Sequence, residues 1–484
     1  MAKKNKLTEL FGKHPKSLFP LVSTEIWERF SYCGMRAILL FYIYFAISKG
    51  GLGLPQATAA SIVAIYGALV YLSGLLGGFL SDYVLGSYKT VLYGGILIMM
   101  GHISLIFPGG LFALFISLTF IIIGSGLLKP NASNMVGGSY EKSDINQDSG
   151  FIFLVFGLNF GALVAPLIVG WVADVYNFHL GFLIAALGMF TGLLIFRSSK
   201  NKFNSSFFYP TNHLSSKNIN GLITKSGILI FILVVAIVIM MIFHILKIEN
   251  LIKLISISIV LLSIFYFGII LGSKKITKKE HSQVLAYIPL FMASILFWII
   301  EEQGSTILAL FAENNVIHTG IPTPWFQSLN PLFVILYTPF FLWLWNKLAK
   351  RQPSTPSKFS LGLFFGGLSF LFMLIPISLY GRDILVSPLW LVGSWGIAIL
   401  GLMLIFPIGL SVASKLAPTA FKAQFMGLNF LAIAVGQAIN SQIVHLYIGN
   451  EFTYFAIVGS IPIIGGIIIF LSKNKIKSLM GDVM

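Results

Sequence analysis

Apolar residues run in long blocks along this chain, and polar residues gather in short intervals between them. Each block is long enough for a helix of about 20 residues to cross a hydrocarbon layer about 30 Å thick. The blocks do not alternate apolar and polar positions, so they predict helices rather than the strands of a barrel. They fall near residues 18–47, 57–80, 88–107, 111–136, 150–174 and 179–196, then 226–246 and 251–272, then 286–312, 324–347, 359–380, 387–414, 421–446 and 453–472, about fourteen in all. Basic linkers at 197–225 and 273–281 set the middle pair apart. The pattern predicts an all-α polytopic membrane protein with a six-helix bundle at 1–196, linkers and a two-helix insertion at 197–281, and a second six-helix bundle at 282–484. The inserted pair carries little polarity at depth and is expected to be peripheral.

Charge interrupts the first block. At 100° per residue, Glu25, Glu28, Arg29, Tyr32 and Arg36 fall on one side of a helix, and the other side is apolar. A charge at bilayer depth is costly and persists where it faces a cavity or a partner. This stripe therefore reads as the working face of a transporter helix, able to hold and pass a proton.

Composition supports the membrane reading: 57% of the 484 residues are hydrophobic and only 10% charged. The net charge of +16 does not imply nucleic acid, because the lysines and arginines sit mainly in short loops. Their bias towards one side predicts a multi-pass protein of the cytoplasmic membrane with both termini in the cytoplasm. Membrane lipids are the expected surroundings, and a monomer is expected. The single cysteine, Cys33, lies inside the first block and excludes an intrachain disulfide. No cleavable signal is expected at the basic start, since the following block is broken by charge and lacks a small-residue cleavage site. No Ser-His-Asp set, metal-ligand cluster or nucleotide loop is apparent. Neither enzyme activity nor a cofactor is expected, protons serving as the coupling ion. His102 and His445 are isolated and read as packing or lipid-edge residues.

Two six-helix halves are the arrangement of the major facilitator fold, in which substrate binds between the halves near the midplane. Gly77-Gly78 leads to Asp82 and then Lys89 between the second and third blocks. Glycines allow close helix approach, and an Asp and a Lys at the mouth can latch neighbouring helices. Four acids lie at depth, Glu25, Glu28, Glu301 and Glu302, against three bases, Arg29, Arg36 and Lys129. That near balance suits a low dielectric. Trp298, Glu301, Glu302 and Ser305 follow i, i+3, i+4, i+7 spacing on one helical face, and a Trp there can wall a pocket. Lys129 precedes Pro130 within an apolar block and needs an anion. Asn159 and Asn330 can each offer a donor and an acceptor to a substrate amide, and Tyr71 can line the same pocket.

At these residues the chain resembles the proton-dependent oligopeptide transporter family of the major facilitator superfamily. Glu25-Ile-Trp-Glu28-Arg29 matches its E-x-x-E-R motif, and Gly126 to Asn131 matches Gly-x-x-Lys-Pro-Asn. Trp298 to Gly304 and Trp325 to Pro331 match two further elements, and Phe153 to Gly161 loosely resembles a third. The resemblance implies uptake of di- and tripeptides driven by the inward proton gradient. Arg29 and Lys129 would face the peptide carboxylate, Asn159 and Asn330 its backbone and amino end, and Tyr32 and Tyr71 the pocket wall. Glu25 and Glu28 would couple protons, and Arg36 would pair with Glu302 across the halves.

Three positions depart from the pattern. Leu402 stands where many peptide carriers have a Glu, Cys33 where a second Tyr is common, and Asn429 where an aromatic is usual. Without that Glu the substrate amine loses its expected counter-ion, and Lys129 is expected to lack a protein partner. The alternatives are the same mechanism with an amino-acid conjugate, an N-blocked peptide or a small anion such as nitrate, or a channel or non-transporting sensor. A channel would want a continuous polar pore, whereas polarity here concentrates at the midplane.

Overall fold

The computed structural model describes residues 14–140, 146–211, 247–317, 320–381 and 385–481. They form α1 (Leu18–Tyr44), α2 (Gln56–Leu80), α3 (Ser87–Ile106), α4 (Gly110–Gly137), α5 (Gln147–Val175) and α6 (Phe178–Ser198). Then follow α7 (Ile248–Gly272), α8 (Lys278–Glu301), α9 (Ile307–Asn315), α10 (Leu329–Leu348), α11 (Thr355–Phe372) and α12 (Leu374–Tyr380). The chain closes with α13 (Leu389–Leu416), α14 (Lys422–Ile443), α15 (Glu451–Leu471) and α16 (Lys473–Met480).

Twelve helical stretches among the described residues are long and apolar enough to cross a membrane. α1 is a further helix of 27 residues, kept out of that set by the four charges on its stripe. The block expected at 226–246 lies outside the described residues. Local chemistry sets several ends. Asn177 caps α6 by accepting from Leu180 N–H at 2.9 Å, and Thr277 and Glu280 form a capping box that opens α8.

Two bundles result. In one, α1 lies on α5 and α6, α2 on α4, and α3 on α4 and α6. In the other, α11 lies on α13 and α15, and α8 on α11, α13, α14 and α15. Gly161 brings α5 against α1 beside Arg29, because a Cβ there would stand 2.4 Å from the Ile26 carbonyl oxygen. The bundles meet along α2 with α14 and α5 with α10.

Hydrogen bonds between the bundles gather at one face of the molecule. Ser61 Oγ donates to Ser441 O at 2.7 Å and lies 3.1 Å from His445 Nε2. Trp325 Nε1 donates to Leu167 O at 2.9 Å, and Ser328 Oγ to Leu163 O at 2.8 Å. These residues belong to the start of α2, the ends of α5 and α14, and the entry to α10. The described termini lie at the opposite face: Ser17 bonds Ser139 at the end of α4, and Ser282 of α8 bonds Leu479 of α16. The seam between the bundles is therefore closed by hydrogen bonds at the face opposite the described termini.

α7 is the described part of the expected two-helix insertion. It packs along the α2–α14 seam. Ser256 lies 2.8 Å from Ser441 Oγ and accepts from Gln442 at 3.1 Å, while Thr58 of α2 donates to Glu249 at 3.3 Å. Small serines on its inner face allow this approach, and Leu254, Ile257, Leu261 and Phe265 remain exposed on its outer face.

Candidate functional site

α1 places its charged stripe in the interior. Glu28 is fully buried and Glu25 is 2% exposed. Glu28 stands between two cations, 3.8 Å from Arg29 Nε and 3.6 Å from Lys129 Nζ. Lys129 also sits over the Tyr32 ring, 3.6 Å from its centroid, a cation–π contact. This corrects the expectation that Lys129 lacks a protein partner: α4 comes close enough to α1 for Glu28 to supply the anion. Glu25 Oε1 is buried with no hydrogen-bond partner. Arg29 and Lys129 keep 30% and 20% of their side chains accessible, so the group faces the cleft.

A second group lies two turns further along α1. Arg36 Nη2 donates to Glu302 Oε2 at 2.5 Å and joins the two bundles. Tyr71 Oη of α2 lies 3.5 Å from the other Glu302 oxygen. Asn330 Nδ2 of α10 donates to Glu301 Oε1. Adjacent carboxylates thus take partners on different helices. Trp298 stands edge-on to Phe406, with ring centroids 5.6 Å apart.

The expected common face of Trp298, Glu301, Glu302 and Ser305 assumes a continuous helix. α8 instead gives way to a 3₁₀ turn at Glu302–Ser305 before α9 resumes the course. Ser305 Oγ turns back to Glu302 O at 3.4 Å. Gly304 is required there, because a Cβ would stand 1.9 Å from the Trp395 ring of α13.

Asn159 is half-buried and donates to Val155 O of its own helix at 2.9 Å. Leu402 is buried at 8% exposure, and Asn429 Nδ2 is buried without a partner. Cys33 is half-buried on α1. Asp82 and Lys89 are exposed in neighbouring turns, and among the described residues neither takes part in an ion pair. No group of three or more His, Cys, Asp or Glu able to hold a metal occurs among the described residues.

The sequence profile of the POT family matches residues 88–465. The chain belongs to the POT family. It is similar to the di-/tripeptide transporter of Lactococcus lactis subsp. lactis (strain IL1403), 45% identical over 99% of each chain. It is also similar to the crystal structure of peptide transporter POT in complex with sulfate, with 47% identity, 96% of each chain covered and a TM-score of 0.93. A POT family transporter in complex with 5-aminolevulinic acid is 40% identical, with 96% of this chain and 97% of that one covered and a TM-score of 0.91. The POT chain described here is a membrane transporter, not an enzyme, and has the major facilitator fold.

Within that POT fold, several polar residues had escaped the sequence reading. Gln303, Asn440 and Tyr454 form a buried set behind Glu302, and His445 bonds across the seam rather than facing lipid. One signal was available: Gln437, Asn440, Ser441 and Gln442 crowd one stretch of an otherwise apolar helix.

Proposed function

We propose that this protein is a proton-coupled symporter that imports di- and tripeptides across the cytoplasmic membrane by alternating access. The Arg36–Glu302 contact carries this reading, since a buried ion pair between two bundles can break and re-form as they rock. The related di-/tripeptide transporter supports the substrate class. Glu25 and Glu28 take up the proton. Neutralising Glu28 frees Arg29 and Lys129 for the substrate carboxylate, which then replaces Glu28 as their counter-ion. Tyr32, Tyr71 and Trp298 wall the pocket, while Asn159, Asn330, Glu301 and Ser305 supply its polar contacts. Asp82 and Lys89 act at the mouth of the cleft.

The lysine distribution supports cytoplasmic termini, and the basic linkers support the division into bundles 1–196 and 282–484 joined by 197–281. The deciding experiment is uptake of labelled dialanine into proteoliposomes with and without an inward proton gradient. Accumulation above equilibrium only with the gradient supports the symporter, and equal uptake in both conditions rejects it.

Leu402 favours a second reading of the substrate, in which the free amine matters little. A carboxylate there would form a charge-assisted hydrogen bond to the amine worth about 1.5–3 kcal/mol, and leucine supplies none. N-acetylated dipeptides are then expected to compete with labelled dialanine nearly as well as unblocked ones, and Leu402→Glu is expected to raise preference for the unblocked form. Rejection of blocked peptides by the wild type would show that another group holds the amine.

A further inference from the structure

The break in α8 is held from behind by three buried polar side chains that tie it to α14 and α15. Gln303, Asn440 and Tyr454 are 1%, 3% and 3% exposed. Gln303 Nε2 donates to Asn440 Oδ1 at 3.0 Å, and Tyr454 Oη donates to Gln303 Oε1 at 2.8 Å. Asn440 Nδ2 donates to Ile299 O at 3.0 Å, in the last turn of α8 before the break. Both oxygens and both nitrogens of the two amides therefore have partners on α8, α14 and α15. A network this buried is specific to one geometry, because removing any member leaves the others unpaired in a low dielectric.

That geometry is the one that separates the two carboxylates. Glu302 begins the 3₁₀ turn and meets Arg36 and Tyr71, whereas Glu301 ends the regular helix and meets Asn330. Gln303 follows directly, so its two bonds fix the turn that aims Glu302. The network also reaches the seam between bundles. Ser441, next to Asn440 on α14, accepts at its carbonyl from Ser61 of α2.

We propose that Gln303, Asn440 and Tyr454 are positioning residues that set the break in α8, so that closure of the α2–α14 seam and the aiming of Glu302 at Arg36 occur together. The inference rests on the coupling role given above to Glu302. All three are buried with their polar atoms bonded to one another or to α8, so their loss should slow the cycle without weakening binding.

The test is counterflow exchange of labelled dialanine in proteoliposomes, a readout that does not require the gradient. Tyr454→Phe keeps the ring, which packs against Tyr447 and Phe455, and removes only the hydroxyl. It is expected to lower the maximal exchange rate about tenfold, the size of one buried hydrogen bond, with KM changed by less than about twofold. Asn440→Leu is expected to lower the rate further. In a Glu302→Gln background neither change should lower the rate again, because residues acting through one group are non-additive. A rise in KM at unchanged rate, or losses that add to those of Glu302→Gln, would overturn the positioning role. Wild-type exchange and wild-type gradient-driven uptake in Glu302→Gln alone would instead refute the coupling role of Glu302. Should Asn440→Leu not fold, Tyr454→Phe decides the matter by itself.

Discussion

Glu25→Gln and Glu28→Gln are each expected to abolish gradient-driven accumulation while leaving counterflow exchange measurable. Exchange needs only that loaded carriers reorient, whereas accumulation needs a proton to ride with each cycle. Glutamine keeps the shape of the carboxyl group and removes the proton site. The two variants should differ in stability. Among the described residues Glu25 takes part in no ion pair, so its replacement strands no paired cation. Glu28 lies within 4 Å of both Arg29 and Lys129, and its neutralisation leaves two cations facing each other without their shared anion. Glu28→Gln is therefore expected to unfold at lower temperature in detergent than Glu25→Gln. Normal accumulation in both variants would remove the α1 carboxylates from the coupling mechanism.

The second large effect is expected at the bridge between bundles. Glu302→Gln should reduce gradient-driven uptake to near background. It strands Arg36, whose side chain is only 16% accessible, and breaking one partner of a buried pair typically costs about 3–5 kcal/mol. The loss falls on one side of the transport cycle, because the contact spans α1 and the broken helix α8. Exchanging the charges, Arg36→Glu with Glu302→Arg, is expected to restore part of the uptake. Accumulation at wild-type rates in Glu302→Gln and in Arg36→Ala would exclude the pair from the cycle.

The helices were legible because a membrane span needs length and apolarity, and both are written in consecutive residues. The expected blocks at 57–80 and 111–136 lie within a residue of α2 and α4 at each end. The charged stripe on α1 was legible for the same reason, since 100° steps put Glu25, Glu28, Arg29 and Arg36 together whatever surrounds them. Contacts between helices were not. Nothing in the neighbourhood of Lys129 in the chain says that Glu28, a hundred residues earlier, approaches to 3.6 Å. Nor does helical periodicity foresee the turn at Glu302–Ser305, which depends on Trp395 filling the space that Gly304 leaves. α16 escaped for a different reason: only eight residues long, it is too short and too basic to register as a span. Its Ile476 and Met480 are nonetheless buried.

The hydrogen bonds that zip the bundles together at one face have a kinetic meaning. Were the termini cytoplasmic, as proposed above, that face would be the outer one and the carrier would wait open to the cell interior. Peptide already inside would then reach the site before the next external molecule could, and a full cytoplasm would hold the carrier in place. Import would thus be throttled by its own product, and a burst of intracellular peptidase activity would speed uptake simply by emptying the site.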